Sequence, residues 1–160
     1  MSCMKVSDWR PYDLIAQQYD DVWGRRFEAV AEHLWTLIGV QRGAKVLDIG
    51  TGTGLVPRAL GAQADQLGWV VGCDLSCVML SRARAEMPAL WTVAGDAMNL
   101  PFRPASFDVA TASFVLSHVR DYQRALAEVL RVLKPSGLLA VTSWTANTDP
   151  YSQAWGDLLA

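Results

Sequence analysis

Acidic side chains follow three successive apolar segments of the sequence. Asp48 lies within the run VLDIGTGTG, Asp74 closes the run WVVGCD, and Asp96 follows Gly95 after the run LWTVA. If these segments are strands of one parallel sheet, their carboxyl ends share an edge, which is where such sheets bind ligands. Carboxylates gathered there would be costly to bury without partners, so we expect them to face a ligand.

Three glycines alternate after the first of these acids, at Gly50, Gly52 and Gly54. A glycine-rich turn between a strand and a helix brings backbone N–H groups close to a ligand without interference from Cβ atoms. Asp74 lies 20 residues beyond Gly54, the spacing expected of a carboxylate that accepts hydrogen bonds from ribose hydroxyls. The alternative role for Asp74 is to cap a helix, but Ser76 suits that position better.

The glycine spacing indicates which kind of nucleoside would bind. A dinucleotide fingerprint, Gly-x-Gly-x-x-Gly, would need a glycine where the sequence has Leu55. The segment also lacks the Gly-Lys-Ser/Thr of a phosphate loop. Asp48 in front of the turn would repel pyrophosphate and suits a cation. A ligand with a ribose and a positive group therefore fits better than a diphosphate, which disfavours a nicotinamide oxidoreductase.

Apolar segments alternate with helical patterns along the chain, as in a doubly wound α/β domain. Each predicted strand is nearly all apolar, which indicates a parallel sheet covered on both faces. We predict one Rossmann-like domain over 1–160, with a helical cap at 1–40, a core at 44–144 and the start of a further helix at 145–160. The predicted strands are 45–49, 69–73, 90–94, 107–113 and 138–144.

The predicted helices have recognisable ends and apolar stripes. Pro11 opens a short helix, and the helix after the glycine turn runs to about Gln66. Ser76 caps one helix, and Asp121 caps another that ends at Lys134. The N-terminal stripe consists of Trp23, Phe27, Val30, Ala31, Leu34, Trp35 and Ile38. The Ser76-capped helix holds Val78, Met79, Leu80, Ala83 and Met87, and the stripe after Asp121 is Ala125, Leu126, Val129, Leu130 and Leu133.

Composition excludes several classes of function. With 51% hydrophobic residues the chain is not a disordered tail, and a net charge of −2 provides no basic surface for nucleic acid. No apolar run approaches the ~18 residues of a membrane span, and the first residues, MSCMKVSDWRPYD, have no apolar core of signal-peptide length. We therefore expect a cytoplasmic protein. Cys3, Cys73 and Cys77 fit no disulfide framework. Cys73 and Cys77 have the alternative of a metal pair, but no further His or Cys lies near them in sequence, so we expect both to be small buried side chains and expect no bound metal.

Four stretches follow one another in order: VLDIGTGTG, VVGCDLSCVML, GDAMNLPFRPASFDVATASFVLSHV and EVLRVLKPSG. Over roughly residues 12 to 144 the chain resembles the class I S-adenosylmethionine-dependent methyltransferases. It is most similar to the small-molecule branch that includes the ubiquinone and menaquinone C-methyltransferases. The resemblance implies a sheet of order 3-2-1-4-5, S-adenosylmethionine as cofactor, S-adenosylhomocysteine as product, and a small-molecule acceptor.

The resemblance also implies roles for the matching positions. Asp74 would bind the ribose, and Leu75 would pack on the adenine ring. Asp96 would accept a hydrogen bond from the adenine amino group, and the Ala97 N–H would reach the adenine ring. The methionine moiety would lie against the glycine turn, and the sulfonium near the end of the fourth strand. The implied cofactor-binding residues are Asp48, Gly50, Thr51, Gly52, Gly54, Asp74, Leu75, Asp96, Ala97, Ser113 and Phe114.

Two tyrosines near the N-terminus, Tyr12 and Tyr19 in YDLIAQQYD, resemble those of the family segment that closes over the cofactor. The alternative for them is hydrophobic anchoring. The candidate base is His118, placed after the fourth strand where the acceptor would approach, although a single histidine is more often structural. His33 has no expected role. Trp9, Trp23 and Trp144 are candidates for lining a pocket for a flat substrate.

The sequence departs from the family pattern in two ways. Ser136 stands where the family has a glycine between a proline and a glycine. The family sheet also has seven strands, whereas five are predicted here, so we expect either a fragment or a fifth strand covered in another way. An uncovered fifth strand would favour pairing with a second copy. A cofactor-binding module without catalysis is therefore the alternative to a methyltransferase.

Overall fold

The computed structural model describes residues 10–16 and 18–143. Trp9, Cys3, Trp144 and the predicted helix at 145–160 lie outside the described residues. Five parallel strands form one sheet in the order β3-β2-β1-β4-β5, as predicted. The strands are β1 Lys45–Ile49, β2 Trp69–Asp74, β3 Trp91–Ala94, β4 Phe107–Ser113 and β5 Leu133–Thr142.

The helices cover the sheet on two faces. One face carries α5 (Tyr122–Val132) against a core that includes Leu47 and Val71. The other carries α2 (Tyr19–Ile38), α3 (Leu55–Arg58) and α4 (Cys77–Glu86) against a core that includes Val46 and Val70. Because alternate strand residues point to opposite faces, this division follows from the all-apolar strands. The helices are α1 Arg10–Ile15, α2 Tyr19–Ile38, α3 Leu55–Arg58, α4 Cys77–Glu86 and α5 Tyr122–Val132, and the 3-10 helices are Gly61–Gln66 and Leu116–His118.

The two predicted helix caps are confirmed. The Ser76 hydroxyl accepts a hydrogen bond from the Met79 N–H (3.0 Å), and the Asp121 carboxylate accepts one from the Arg124 N–H (2.9 Å). Such caps contribute about 1 kcal/mol each. The predicted helix after the glycine turn is wrong in length, because Gly61 adopts a left-handed φ of 52° and divides it into α3 and a 3-10 helix.

Some predicted apolar side chains are not buried. On α2, Val30 is partly exposed, whereas Trp23 and Trp35 are buried. Leu130 of α5 is exposed and Val132 is buried in its place, because the buried stripe follows positions 125, 129 and 132 and leaves position 130 on the outer face. Val78 is exposed beside the helix start, and so is Cys77, contrary to the prediction of a buried thiol; Cys73 is buried as predicted.

The junction between α5 and β5 also differs from the prediction. The helix ends at Val132, and Leu133 already pairs with Phe107 of β4. The register then shifts so that Val109 pairs with Leu138, which leaves the intervening breaker residues as an irregularity within the strand. Lys134 in this segment donates to the Asp108 carboxylate at 2.6 Å, which holds the irregular segment against β4.

Ser136 adopts a φ of 67° within this irregular segment. A left-handed conformation costs a non-glycine residue roughly 1–2 kcal/mol, which gives a physical reason for the glycine expected there from the family. We expect Ser136→Gly to raise the free energy of unfolding by about 0.5–1 kcal/mol, the strain relief being partly offset by a more flexible unfolded chain. The same change at Ser81, within α4, should lower it by a similar amount. Urea unfolding tests both, and an equal loss of stability in the two variants would contradict the assignment of strain to Ser136.

Within residues 10–16 and 18–143, none of the helices is both long and apolar enough to cross a bilayer.

Candidate functional site

A pocket of about 980 Å³, its open mouth included, lies at the carboxyl ends of the strands. Its wall is contributed by the ends of β1, β2, β3 and β4, and its cover by side chains of α1 and α2. This is the edge at which the sequence places its three acids.

The glycine turn has three left-handed residues with different reasons for being glycine. Gly50, Gly52 and Gly54 have φ values of 68°, 54° and 82°. A Cβ on Gly50 would lie 2.3 Å from Cγ2 of Val115, so this glycine permits close packing inside the protein. A Cβ on Gly52 would meet no atom within 4 Å, because it would point into open space at the pocket wall. The backbone at Gly52 is thus the part of the turn left bare for a ligand.

Asp48 lies beneath this turn and is 1% exposed. The Thr111 hydroxyl hydrogen-bonds to its Oδ1 at 2.6 Å, while Oδ2 has no hydrogen-bond partner among the described residues. Burial raises the pKa of Asp48 to about 7, and the hydroxyls of Thr111 and Thr51 only partly offset this effect. The carboxyl group therefore stays largely neutral below neutral pH and supports the turn from behind rather than lining the pocket.

Asp74 ends β2 inside the pocket. Its Oδ2 accepts from the Gly52 N–H and its Oδ1 from the Ser76 N–H, both at 2.9 Å. Burial raises the pKa of Asp74, which these N–H groups counteract. Each carboxylate oxygen has a second lone pair, so both remain able to accept from a diol while the backbone bonds fix their positions.

Asp96 follows β3 and also lines the pocket. Its Oδ1 accepts from the Met98 N–H at 2.8 Å, which forms a tight turn around Ala97. Further along the same loop, the Glu128 carboxylate accepts from the Leu100 N–H at 2.8 Å, and the Arg131 guanidinium donates to two loop carbonyls. These bonds to α5 hold the loop that carries Asp96 in place.

The opposite side of the pocket is an aromatic wall, formed by Tyr12, Tyr19, Phe27, Phe114 and His118. The ring centroids of Phe27 and Phe114 are 4.9 Å apart, and those of Tyr19 and Phe27 are 6.3 Å apart. Phe114 adopts a left-handed φ of 58°, a strain of order 1–3 kcal/mol that is concentrated at functional sites. Its N–H donates to the Thr142 carbonyl at 3.0 Å, which anchors the strained residue to β5.

His118 and Tyr12 meet across the pocket from elements far apart in sequence. Nε2 of His118 lies 3.2 Å from the Tyr12 hydroxyl, and the rings are edge to face at 5.7 Å. Burial lowers the pKa of His118, so the imidazole is neutral at pH 7 and able to accept a proton. Burial, aided by the negative charge of Asp74, raises the pKa of Tyr12 to about 12, which keeps its hydroxyl protonated.

Two acids hold the N-terminal helices over the pocket. The Asp13 carboxylate of α1 accepts from the Ser76 hydroxyl at the start of α4. The Asp20 carboxylate of α2 accepts from the Thr53 hydroxyl and pairs with Arg58 at 2.9 Å. Both helices are thereby fixed to the glycine turn and to the loop after β2, so Tyr12 and Tyr19 face the pocket.

The structure brings most of the sequence-predicted site residues to this pocket. Asp48, Thr51 and Gly54 do not line it but lie behind the turn, where each is buried. Trp23 does not line it either, since it is buried and stacked on Phe27 with centroids 5.7 Å apart. The predicted residues on the pocket are Tyr12, Tyr19, Gly50, Gly52, Asp74, Leu75, Asp96, Ala97, Ser113, Phe114 and His118.

Sequence reasoning missed three residues that shape the site. Phe27 is predicted as a core side chain of α2, but its ring lies in the pocket wall. Asp13 and Asp20 anchor the cover, and each directly follows a tyrosine that faces the pocket. The repeated Tyr-Asp pair in YDLIAQQYD was the available signal for these acids. No comparable signal marked Phe27, because its spacing is that of an ordinary helical stripe.

Comparison with known proteins bears on this arrangement. A family model described as a methyltransferase domain matches residues 47–141, which is more than half of the chain. The chain belongs to this methyltransferase family. The matched range begins in β1 and ends in β5, so it includes the glycine turn, Asp74, Asp96 and the end of β4.

The relatives of this methyltransferase-family chain include curated and solved proteins. It is 38% identical over 157 residues to the demethylmenaquinone methyltransferase of Beutenbergia cavernae, covering 91% of this chain and 62% of that protein. A Haloferax volcanii protein solved with the Trm112 methyltransferase activator is 28% identical, with a TM-score of 0.76, over 95% of this chain and 77% of that one. A Thermotoga maritima S-adenosylmethionine-dependent methyltransferase is 28% identical, with a TM-score of 0.67, over 84% of this chain and 60% of that one. The chain thus spans about three fifths of the first relative's length.

Proposed function

We propose that this chain binds S-adenosylmethionine and transfers its methyl group to a small-molecule acceptor. The observation that supports this most strongly is the convergence of the bare Gly52 backbone, Asp74 and Asp96 on one pocket. Such a set offers a backbone surface without side chains and two carboxylates to a ligand that carries a ribose, an adenine and a positive charge. Domain membership and the relatives' names support the same cofactor.

The residues present fit S-adenosylmethionine along the length of the pocket. Asp74 has lone pairs for the ribose diol, Leu75 offers an exposed apolar side chain to the adenine, and Asp96 can accept from the adenine amino group. The methionine part would lie along Gly50 and Gly52. When bound, the cofactor supplies an electrophilic methyl group on a sulfonium that leaves as a neutral thioether.

The chain's own contribution to the reaction is alignment, exclusion of water and control of a proton. The aromatic wall provides a flat apolar surface on which an acceptor ring can be oriented toward the methyl group. From the relatives' name we propose demethylmenaquinone first, in its reduced quinol form, because the quinol carries the ring hydroxyls and the nucleophilic ring that the quinone lacks. With the Nε2–H of neutral His118 donating to the Tyr12 hydroxyl oxygen, the unprotonated Nδ1 would take the proton from a hydroxyl of the methyl acceptor, which makes the acceptor more nucleophilic. A cytoplasmic location stays a prediction.

The function is tested by incubating the chain with S-adenosylmethionine that carries a radiolabelled methyl group and a short-chain demethylmenaquinol. The proposal predicts label in the methylated quinol and one S-adenosylhomocysteine formed per methyl transferred. Formation of S-adenosylhomocysteine without labelled product would indicate hydrolysis instead. Tight cofactor binding without either product would favour a binding module.

Asp74→Ala is expected to weaken S-adenosylhomocysteine binding more than Asp96→Ala does. Asp74 can accept two ribose hydrogen bonds and also fixes Gly52, whereas Asp96 is expected to accept one bond from the adenine. Hydrogen bonds to charged acceptors contribute roughly 1.5–3 kcal/mol each, so the difference should reach about tenfold in affinity. Calorimetry measures both variants, and an Asp74→Ala affinity equal to that of the wild type would refute the ribose assignment.

His118→Ala should leave cofactor affinity almost unchanged while lowering methyl transfer by about 100-fold, the usual contribution of a general base. Because burial lowers the pKa of His118, the acid limb of the wild-type rate profile should fall below pH 6.5. Tyr12→Phe is the matched control, since it keeps the ring but removes the hydroxyl from His118. Tyr12→Phe should shift the acid limb of the pH–rate profile while lowering the rate of methyl transfer less than His118→Ala does. A loss of cofactor affinity in a folded His118→Ala protein would contradict this placement.

A further inference from the structure

A stack of aromatic side chains is exposed at the end of the sheet opposite the pocket. Trp69, the first residue of β2, is 57% exposed, and Trp91, the first residue of β3, is 69% exposed. Their rings are stacked, with centroids 6.3 Å apart and planes 17° apart. The Lys45 ammonium group lies 4.9 Å from the centre of the Trp69 ring. Two large aromatic side chains exposed side by side form a contiguous apolar patch, and patches of this kind are often functional.

The sheet face beneath this stack is bare because of the connection from β3 to β4. Residues 95–106 form a loop, and its bonds to Glu128 and Arg131 hold it against α5. The loop covers Val93 and Cys73, nearer the carboxyl ends of the strands. Within the described residues no helix lies over Trp69 and Trp91, which point to the same face as Val71.

The strand beside the stack is also free to pair. β3 stands at one edge of the sheet in the described residues, so one side of its backbone has no neighbouring strand. Its four residues include no charged residue or proline of the kind that protects an edge. An extended segment placed against this edge would put alternate side chains against the Trp91 face and against the opposite face.

The opposite face of β3 carries an exposed positive charge. Arg84 of α4 donates to the Thr92 hydroxyl, and among the described residues it has no carboxylate partner. Thr92 alternates with Trp91, so the guanidinium lies on the other side of the strand. An added segment would therefore meet tryptophan on one face and a cation on the other.

The exposed area limits what can bind there. Two partly exposed indoles offer on the order of 300 Å². A stable globular dimer needs about 800 Å² from each partner. The stack is therefore too small for a stable second copy but matches the apolar face of one extended segment.

We propose that the β3 edge binds an extended acidic segment of another protein. Its apolar side chains pack on Trp69 and Trp91, its acidic side chains face Arg84, and its backbone pairs with β3. The inference is independent of the methyl-transfer proposal, because the surface lies at the opposite end of the sheet from the pocket.

The probe is the peptide Ac-Glu-Val-Glu-Phe-Glu-Val-Glu-amide, compared with its counterpart in which lysine replaces each glutamate. Binding is followed on the indole N–H signals of the isotopically labelled protein, with Trp69→Phe and Trp91→Thr used to assign them. We expect saturable shifts of these two signals with the acidic peptide and little response to the lysine peptide. Equal binding of both peptides, or no shift with either, would overturn the proposal.

Three variants sharpen the test. Trp91→Thr keeps a β-prone residue in the strand and should weaken the acidic peptide about tenfold or more. Arg84→Glu should reverse the preference between the two peptides. Leu130→Thr removes an equally exposed apolar side chain from α5 and should have no effect. Self-association that Trp91→Thr abolishes would identify a second copy as the occupant and overturn the assignment. Thermal unfolding, which should stay cooperative in all three, shows whether each is folded.

Discussion

Gly52→Ala is expected to lower the affinity for S-adenosylhomocysteine by about 10- to 100-fold, corresponding to the ~1–3 kcal/mol cost of overpacking a well-fitted site. The added Cβ meets no protein atom within 4 Å, so the fold has room for it, but it projects at the pocket wall where we place the methionine part. The left-handed φ of 54° adds a cost in stability of roughly 1–2 kcal/mol.

Gly39→Ala is the matched control for this variant. Gly39 ends α2 with a φ of 59°, and a Cβ there would also meet no atom within 4 Å, yet it does not line the pocket. The two variants should therefore lose similar stability in thermal unfolding, while only Gly52→Ala loses affinity in calorimetry. Unchanged affinity in Gly52→Ala would mean that the cofactor does not approach this turn.

Asp48→Asn is expected to stabilise the ligand-free protein above pH 7. Burial raises the pKa of this carboxyl from 3.8 to about 7, so the folded state holds the proton more tightly than the unfolded state does. The stability contributed by the neutral carboxyl is complete below pH 3.8 and is lost as pH rises to about 7, by an amount on the order of 4 kcal/mol. The asparagine cannot ionise, and its amide oxygen can still accept from Thr111.

Urea unfolding at pH 5 and pH 8.5 measures this effect. The wild type should lose stability between these two pH values, whereas Asp48→Asn should lose much less. Asp108 provides a control of opposite sign, because its hydrogen bond with Lys134 lowers its pKa. The stability that Asp108 contributes is present above the pKa that it has in the unfolded chain and is lost as the pH falls. Asp108→Asn should therefore lower the stability at neutral pH. A wild-type profile parallel to that of Asp48→Asn would show that Asp48 is ionised in the folded protein.

The sheet and the glycine turn could be predicted from sequence because their signals are local. Each strand is a short apolar run bounded by glycine or an acid. Ser76 and Asp121 are residue types that cap helices, because their side-chain oxygens accept a hydrogen bond from a backbone N–H of the first turn. Asp74 and Asp96 reach one pocket because the ends of parallel strands must share an edge. These inferences need only strand direction and strand order.

The rest depends on contacts between distant segments. The early end of α5 reflects pairing of Leu133 with Phe107, which outweighs the helical preference of the local sequence. The aromatic wall joins Tyr12 to His118 across 106 positions of the chain, so no periodicity could place them together. Asp48 is predicted to face the ligand, but the turn folds over it and leaves its backbone glycines at the pocket instead.

Calorimetric titration of the wild-type chain with S-adenosylhomocysteine and, separately, with NAD tests the central claim most directly. The glycine spacing and the carboxylates of Asp74 and Asp96 in the pocket favour a nucleoside without a diphosphate. We predict one S-adenosylhomocysteine bound per chain and no measurable heat with NAD at the same concentrations. Tighter binding of NAD than of S-adenosylhomocysteine would contradict the assignment of this pocket to a methyl-donor cofactor.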